Sequence, residues 1–502
     1  MNDPFDSPNV PPVVESDNVV IAQVASTIAK HESPIHLASY VVTWAVIFAV
    51  LVFHVVRMNF APIVSRLEAT KADLLQVSMA AKLKVGIRQI SPKDDPKTEI
   101  STFDADDFPE THWGEAILLN EVEGADAALS QMKNVERSMD TLALKLTPDQ
   151  QRLHNILTRL FADYDDGDMS ASNVPQSDRE FLKERFGWLG TLALTPKVGS
   201  DVNGRKNVEQ GAVSFIVMML VVAVAFCLML LTGVVGLCLV LVRLASKKLA
   251  CRFENHAENG HLYGETFAVW FVFFTILQLM VGEFIPGDFH LAGAGVAFFA
   301  SLLALLWPVV RGLTWSDTRK AIGWSSRTNP LYEAMCGVGA YICLVPLILA
   351  AFVVTFLLMQ VLSAGGLVSF VQMDGRNVPS HPIIHELVKN NPVILLTTFF
   401  LACVAAPIIE ETMFRGVLYR HMRDSTIWFP RLASVAISAG FNSFIFAAIH
   451  PQGLLGIPVL TTIALGFSLV REWRDSLIAP MVMHALNNGI ATVTFILIVK
   501  NL

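Results

Sequence analysis

Charged residues are scarce in this chain of 502 residues. Asp, Glu, Lys and Arg make up 16% of it, whereas hydrophobic residues make up 53%. An average soluble domain carries about 25% charged residues. The shortage indicates a membrane protein. The net charge of −7 also offers no basic surface for nucleic acid, so we expect no nucleic-acid partner.

Cysteine is sparse too, and several signatures of hydrolytic enzymes are missing. The six cysteines form no CxxC pair, and none lies between residues 58 and 210, which excludes a disulfide-stapled module there. The sequence contains neither HExxH nor GxSxG, the signatures of common zinc proteases and serine hydrolases. A hydrolytic site in this chain would therefore have to use another set of residues.

Apolar runs dominate the rest of the sequence. A run of about 20 apolar residues can cross the hydrocarbon core of a bilayer. We find nine runs of this character: 38–57, 212–243, 266–285, 291–310, 334–362, 393–409, 432–449, 454–470 and 476–499. They predict an all-α fold, a polytopic membrane bundle of about nine spanning helices in the lipid bilayer.

The N-terminal residues 1–37 are acidic and rich in proline. They lack the basic start of a cleaved signal peptide and predict a disordered tail. We therefore expect the first run, 38–57, to remain as a membrane anchor helix. The polar region 58–210 follows it, and three of its segments have the apolar spacing of amphipathic helices. A small, mainly helical soluble domain is thus predicted between the first and second spanning helices.

Lys and Arg in short loops predict the orientation. Short loops that are rich in Lys and Arg are usually cytoplasmic. Four connections are basic: 244–262, 311–332, 411–431 and 471–475. All four can be cytoplasmic together only if the 58–210 domain lies on the extracytoplasmic side of the membrane and the N-terminus on the cytoplasmic side.

Charged residues follow the sixth apolar run without a break. A charge at the centre of a spanning helix costs roughly 2.5–3.5 kcal/mol, and such charges are usually functional or paired. Glu411 and Arg415 are four residues apart and share a helix face, whereas Glu410 lacks a local partner. We expect this helix to continue through Arg415. Arg420 and Arg423, farther along, are predicted to form a solvated face.

Two further polar clusters lie in the last helices. His450 precedes Pro451, which disfavours helical conformation and predicts a break there. His484 and Asn488 are four residues apart on one face of the final helix. Each could be a packing residue by itself. In a low dielectric they need partners, and with Glu410 they could form one site facing a water-filled cavity.

These residue types suit hydrolysis. A carboxylate shielded from water can act as a general base. Two imidazoles can hold a metal ion, or position a water molecule and donate to an oxyanion, and an amide can also donate. Base, water and oxyanion donors together make a hydrolase site.

Three motifs follow one another in the C-terminal part: Glu410-Glu411-x-x-x-Arg415, Phe446-x-x-x-His450 and His484-x-x-x-Asn488. In order and separation they resemble the motifs of the CPBP family, the CAAX-protease and bacteriocin-processing membrane enzymes, also called the Abi or type II CAAX prenyl endopeptidase family. The resemblance covers roughly 313–500. It implies a protease core at 313–502, preceded by additional transmembrane helices at 211–312.

The resemblance implies an intramembrane endopeptidase with the catalytic residues Glu410, Glu411, Arg415, His450, His484 and Asn488. Glu410 would activate the attacking water. The family is described as metalloproteases, yet a glutamate-dependent mechanism without a tightly held metal is also argued for it. A zinc ion would be bound by Glu410, His450 and His484. The substrate would be a membrane protein or peptide, in a bacterial cytoplasmic membrane.

Two alternatives belong to other classes. A non-catalytic scaffold or immunity-type protein could keep the same fold, and Glu410 would then be dispensable. A proton-coupled transporter could use buried Glu and His as a relay, but we find no internal repeat of the kind common in transporters.

Overall fold

The computed structural model describes residues 34–60, 66–91, 109–141, 145–199, 201–254, 259–326, 328–364 and 392–501. Within these ranges every regular element is helical and there is no strand, so the all-α prediction is confirmed for this part of the chain. Nine of its helices are long and apolar enough to cross a membrane, by length and composition, the number predicted.

The helices are numbered in chain order. They are α1 Pro34–Phe60, α2 Arg66–Ile90, α3 Pro109–Val122, α4 Ala125–Thr141, α5 Pro148–Asp165, α6 Gln176–Phe186, α7 Trp188–Ala193, α8 Val202–Ala245, α9 Gly260–Phe284, α10 Gly287–Ser301, α11 Trp307–Val310, α12 Trp315–Ile322, α13 Pro330–Ala364, α14 Pro392–Ser425, α15 Arg431–Ala448, α16 Gly453–Arg474 and α17 Ile478–Lys500. A 3₁₀ turn, Leu302–Leu306, joins α10 to α11.

The N-terminal prediction is tested only at its end. Residues 1–33 of the predicted tail lie outside the described ranges. The last four residues of that tail, 34–37, are instead the first turn of α1, so the helix begins earlier than the apolar run at 38. The candidate membrane-spanning part of α1 is Ala38–Arg57, which matches the predicted anchor.

One compact unit contains most of the region predicted as a soluble domain. The three predicted helical segments are present as α2, α4 and α5, together with α3, α6 and α7. Its core is apolar and includes the fully buried Trp113, Leu157 and Phe161. Arg205 donates to both carboxylate oxygens of the buried Glu121, at 2.8 and 2.9 Å. The solubility of this unit and its side of the membrane stay predictions.

The other unit holds the membrane helices around α14. This helix runs for 34 residues, far beyond the end of its apolar run at 409. Two segments of it, Leu401–Ala405 and Thr412–Leu418, are π-helical. Such segments occur often at functional sites. Phe414 of the second segment packs edge-on against Phe267 of α9, with ring centroids 5.3 Å apart. Burial by its neighbours keeps the charged part of α14 helical.

The prediction of a solvated face at Arg420 and Arg423 is wrong. Each of these side chains is only 2% exposed. Arg420 Nε donates to Asp424 Oδ2 at 3.0 Å, one turn along α14. Arg423 Nε donates to Glu472 Oε2 on α16 at 3.1 Å. Both cations are buried because carboxylates on this helix and on α16 compensate them.

Candidate active site

Glu411 is fully buried and connects two helices. Its Oε1 accepts a hydrogen bond from Arg415 Nη1 at 3.0 Å, on the same face of α14. The same oxygen accepts from His484 Nδ1 of α17 at 2.8 Å. Charge-assisted hydrogen bonds of this kind are short and directional. Glu411 therefore holds α17 against α14 and sets the ring orientation of His484.

Arg415 extends the same contacts to α15 and α16. Its side chain is fully buried, and Nη2 donates to the backbone carbonyl of Ala464 at 3.1 Å. The guanidinium lies 4.5 Å from the ring centroid of Phe446 and 5.2 Å from that of Phe467. Cation–π attraction is strongest where water is excluded. The ring of Phe446 in turn packs 4.3 Å from that of His450. All three motifs thus meet around one arginine.

Glu410 lies beside the two histidines. Its Oε2 is 4.0 Å from His450 Nε2 and 3.8 Å from His484 Nε2. These distances exceed a direct hydrogen bond and suit three groups that share one bridging water molecule. The side chain is 19% exposed, yet Oε2 itself is buried and has no hydrogen-bond partner among the residues that the structure describes. Buried polar atoms without a partner are uncommon and call for an explanation.

The proton positions of both imidazoles follow from their other contacts. His450 Nδ1 lies 2.6 Å from the backbone carbonyl of Phe446, which can only accept, so Nδ1 is the donor. His484 Nδ1 donates to the Glu411 carboxylate in the same way. Both Nε2 atoms therefore face Glu410. Each Nε2 accepts a hydrogen bond when its ring is neutral and donates one when the ring is protonated.

His450 reaches this position because the chain breaks where Pro451 predicted. α15 ends at Ala448 and α16 begins at Gly453, whose φ of +62° is in the left-handed region. Glycine adopts this conformation without the steric cost that a Cβ imposes. His450 lies in the intervening turn. The depth of this break in the bilayer stays a prediction.

Asn488 lies one turn beyond His484 and contacts a different part of α14. Its Nδ2 donates to the backbone carbonyl of Ala402 at 2.8 Å, and its Oδ1 accepts from Asn487 Nδ2 at 3.2 Å. Ala402 belongs to the first π-helical segment. A side-chain donor at this carbonyl supports the irregular helix. The structure thus brings Glu410, His450 and His484 together and places Asn488 beside them on a backbone group.

Trp324 was not among the predicted site residues. Its Nε1 donates to Thr412 Oγ1 at 2.9 Å, and Thr412 directly follows Glu411. The same hydroxyl donates to the carbonyl of Ile408 at 2.6 Å. An indole N–H needs an acceptor when it packs in apolar surroundings. This general need is the only indication of the contact that the sequence offers.

The donor atoms that zinc would need are present at this site. One carboxylate and two imidazoles are a ligand set that zinc accepts. Among the described residues, however, no three His, Cys, Asp or Glu side chains are grouped so that they could hold a metal ion. We therefore derive no reaction step through a metal, and zinc binding by Glu410, His450 and His484 stays a prediction.

Comparison with known proteins concerns the same part of the chain. Residues 392–490 match the family described as type II CAAX prenyl endopeptidase Rce1-like. The membrane-embedded CAAX protease MroQ of Staphylococcus aureus (strain USA300) is 30% identical over 94 residues, 19% of this chain and 37% of that protein. An uncharacterized 24.3 kDa protein of Escherichia coli is 29% identical over 111 residues, 21% of this chain and 48% of that protein. No solved structure matches.

Residues 392–490 therefore match the type II CAAX prenyl endopeptidase family, and the resemblance predicted from the three motifs is confirmed for these residues. The chain spans less than half the length of each of these two relatives.

Proposed function

We propose that this protein is an intramembrane endopeptidase in which Glu410 activates the water that hydrolyses a peptide bond. The observation that carries this proposal is the position of Glu410 Oε2. This atom is buried without a hydrogen-bond partner in the described part of the chain, and it lies 3.8 and 4.0 Å from two imidazole nitrogens. The match of residues 392–490 to a protease family supports a protease rather than a transporter. The roles of the other site residues follow from their contacts.

In the proposed reaction, a water molecule lies between Glu410 and the two Nε2 atoms. Glu410 takes a proton from it as its oxygen attacks the carbonyl carbon of the scissile bond. Glu411 accepts from Nδ1–H of His484 and so holds that ring with its Nε2 toward the reacting atoms. When the ring of His484 is protonated, Nε2–H of this ring donates a hydrogen bond to the oxyanion. When the C–N bond breaks, the proton on Glu410 passes to the leaving nitrogen, and carboxylic acid and amine products result.

Arg415 has no contact with the reacting atoms in this scheme. It compensates the charge of Glu411, so that this carboxylate can remain buried beside His484. Glu411 and Arg415 are therefore positioning residues. We propose a membrane protein or peptide as the substrate. The description of the S. aureus relative as a membrane-embedded protease supports a substrate that reaches the site from within the membrane.

The direct test compares the N-termini of proteins in membranes from cells that express the wild type or Glu410→Gln at equal levels. Glu283→Gln is the matched control, because Glu283 is an exposed glutamate on α9 and the substitution changes charge equally. We expect new N-termini with the wild type and the control, and none with Glu410→Gln. Identical profiles from all three, with a cellular phenotype rescued by Glu410→Gln, would favour the scaffold.

We further propose that the 58–210 region is a soluble domain outside the cytoplasmic membrane. The test places one cysteine at the exposed Ser172 or, as the matched control, at the exposed Ser316 of the 311–332 loop, in a chain whose six native cysteines are replaced. A membrane-impermeant maleimide added to intact cells should label the first variant only. Labelling of Ser316→Cys alone would indicate the opposite topology, with the 58–210 region on the cytoplasmic side.

A further inference from the structure

A cavity apart from the proposed active site lies where α14 leads into α15. It has a volume of about 290 Å³ and is lined by Phe253, Arg423, Ile427, Phe429, Arg431 and Ser434. None of these residues takes part in the proposed hydrolysis. Arginine in a small cavity with a hydroxyl and aromatic rings is typical of a site that binds an anion.

Two arginines that line this cavity donate to the same carboxylate. Arg423 donates to both oxygens of Glu472, at 3.1 and 3.2 Å. Arg431 Nη2 donates to Oε1 of the same carboxylate at 3.3 Å. The neighbouring Arg420 is compensated by its own partner, Asp424. Two guanidinium groups at the cavity thus share the carboxylate of Glu472.

The two arginines of the cavity differ in burial. The Arg423 side chain is only 3% exposed and all three of its nitrogens are fixed, with Nη1 donating to Ser434 Oγ. Arg431 differs, since its side chain is 56% exposed and can turn toward a ligand. Its Nη2 also donates to the backbone carbonyl of Cys251, at 3.3 Å. The cavity therefore has one rigid arginine and one accessible arginine.

Backbone groups add to the positive potential. α15 begins at Arg431 after Pro430, and no side chain caps its N-terminus. The first N–H groups of a helix lack intrahelical partners and carry the positive end of the helix dipole. Phosphate groups bind readily at such termini. Here the helix end supports the cationic cavity and does not define it.

The rim of the cavity is apolar. Ile427, Trp428 and Phe429 are 40%, 53% and 51% exposed in the short connection that precedes Arg431. Aromatic residues of this kind collect at the interface between membrane and water. Basic pockets between membrane helices bind the headgroups of anionic lipids. We propose that this cavity binds a phosphate group, and that Arg431 is its accessible ligand.

The test uses the purified full-length protein in detergent and measures binding of phosphatidylglycerol and phosphatidylcholine by native mass spectrometry. Arg431→Gln is compared with Arg319→Gln, an exposed arginine of α12 with the same change of charge and no contact with the cavity. Loss of one charge-assisted contact should weaken phosphatidylglycerol binding about tenfold in Arg431→Gln. Arg319→Gln should bind as the wild type does, and Arg431→Lys should lie between.

The source of the phosphate is distinguished by titrating inorganic phosphate into the lipid-free protein, with competition against phosphatidylglycerol. Binding and competition that Arg431→Gln abolishes would identify a free phosphate compound as the ligand. Phosphatidylglycerol binding without competition would identify the lipid headgroup. The proposal is overturned if the wild type binds neither, if it does not prefer the anionic lipid, or if both glutamine variants lose affinity equally.

Discussion

The two adjacent glutamates of α14 should respond differently to the same substitution. Glu411 is fully buried, and its Oε1 accepts from Arg415 and His484. Glu410 is partly exposed, and its Oε2 accepts no hydrogen bond from any described residue. Replacing either carboxylate by an amide removes one negative charge and hardly alters the shape. Any difference between the two variants in stability or activity therefore reports the different surroundings of the two carboxylates.

Glu411→Gln should be strongly destabilising. It leaves the guanidinium of Arg415 fully buried without the carboxylate 3.0 Å away that compensates it. Breaking a buried ion pair on one side costs about 3–5 kcal/mol. Glu410→Gln removes a charge that makes no hydrogen bond at Oε2. We expect the free energy of unfolding to change by about 1 kcal/mol at most, while proteolysis is lost.

The assay pairs thermal unfolding in one detergent with proteolysis in membranes, for the wild type, both glutamine variants and the control Glu283→Gln. A folded, inactive Glu410→Gln and a Glu411→Gln with a clearly lower melting temperature would support the assignment. If Glu411→Gln is as stable as the wild type, Arg415 does not depend on this ion pair. If Glu410→Gln unfolds as readily as Glu411→Gln, Glu410 is structural and the reasoning fails.

Three further predictions concern other contacts. Gly264→Ala should destabilise by about 1–3 kcal/mol, because a Cβ would lie 2.6–2.8 Å from ring atoms of the buried His421; in a double-mutant cycle, prior replacement of His421 by Ala should reduce this cost. Asn488→Ala should cost about 1–3 kcal/mol in thermal unfolding, because the carbonyl of Ala402 loses its donor. Burial lowers the pKa of Lys82 from 10.5 to about 8. The unfolded chain then binds more protons between those pH values, so stability should rise with pH there, and Lys82→Met should remove the rise in denaturant titrations.

Local spacing made part of the site predictable. Residues four apart in a helix share a face, so the sequence indicated that Arg415 could neutralise Glu411, and the structure has this ion pair at 3.0 Å. Pro451 predicted the break that brings His450 into a turn. Both inferences needed only the geometry of one helix or one turn, and for that reason they hold.

Contacts between distant segments were beyond such reasoning. The partner of Arg423 is Glu472, 49 positions later. A basic run after an apolar helix has the same appearance in the sequence whether it is solvated or paired across helices, so the sequence alone predicts a solvated Arg423. The hydrogen bond from His484 to Glu411 joins positions 73 apart. Three-dimensional packing decides these pairings, and residue periodicity carries no information on them.

The second π-helical segment of α14, Thr412–Leu418, has a consequence for how this helix tolerates change. A π turn contains about one residue more than an α turn. Deleting one residue within it would let the helix close into regular α geometry. The part of α14 beyond it would then keep its face, whereas a deletion in the regular helix between Tyr419 and Met422 would rotate everything after it by about 100°, since an α-helix has about 3.6 residues per turn. Arg423 would stay beside Glu472 after the first deletion and turn away from it after the second, so the π-helical segment tolerates a loss of length that the regular turn after it does not.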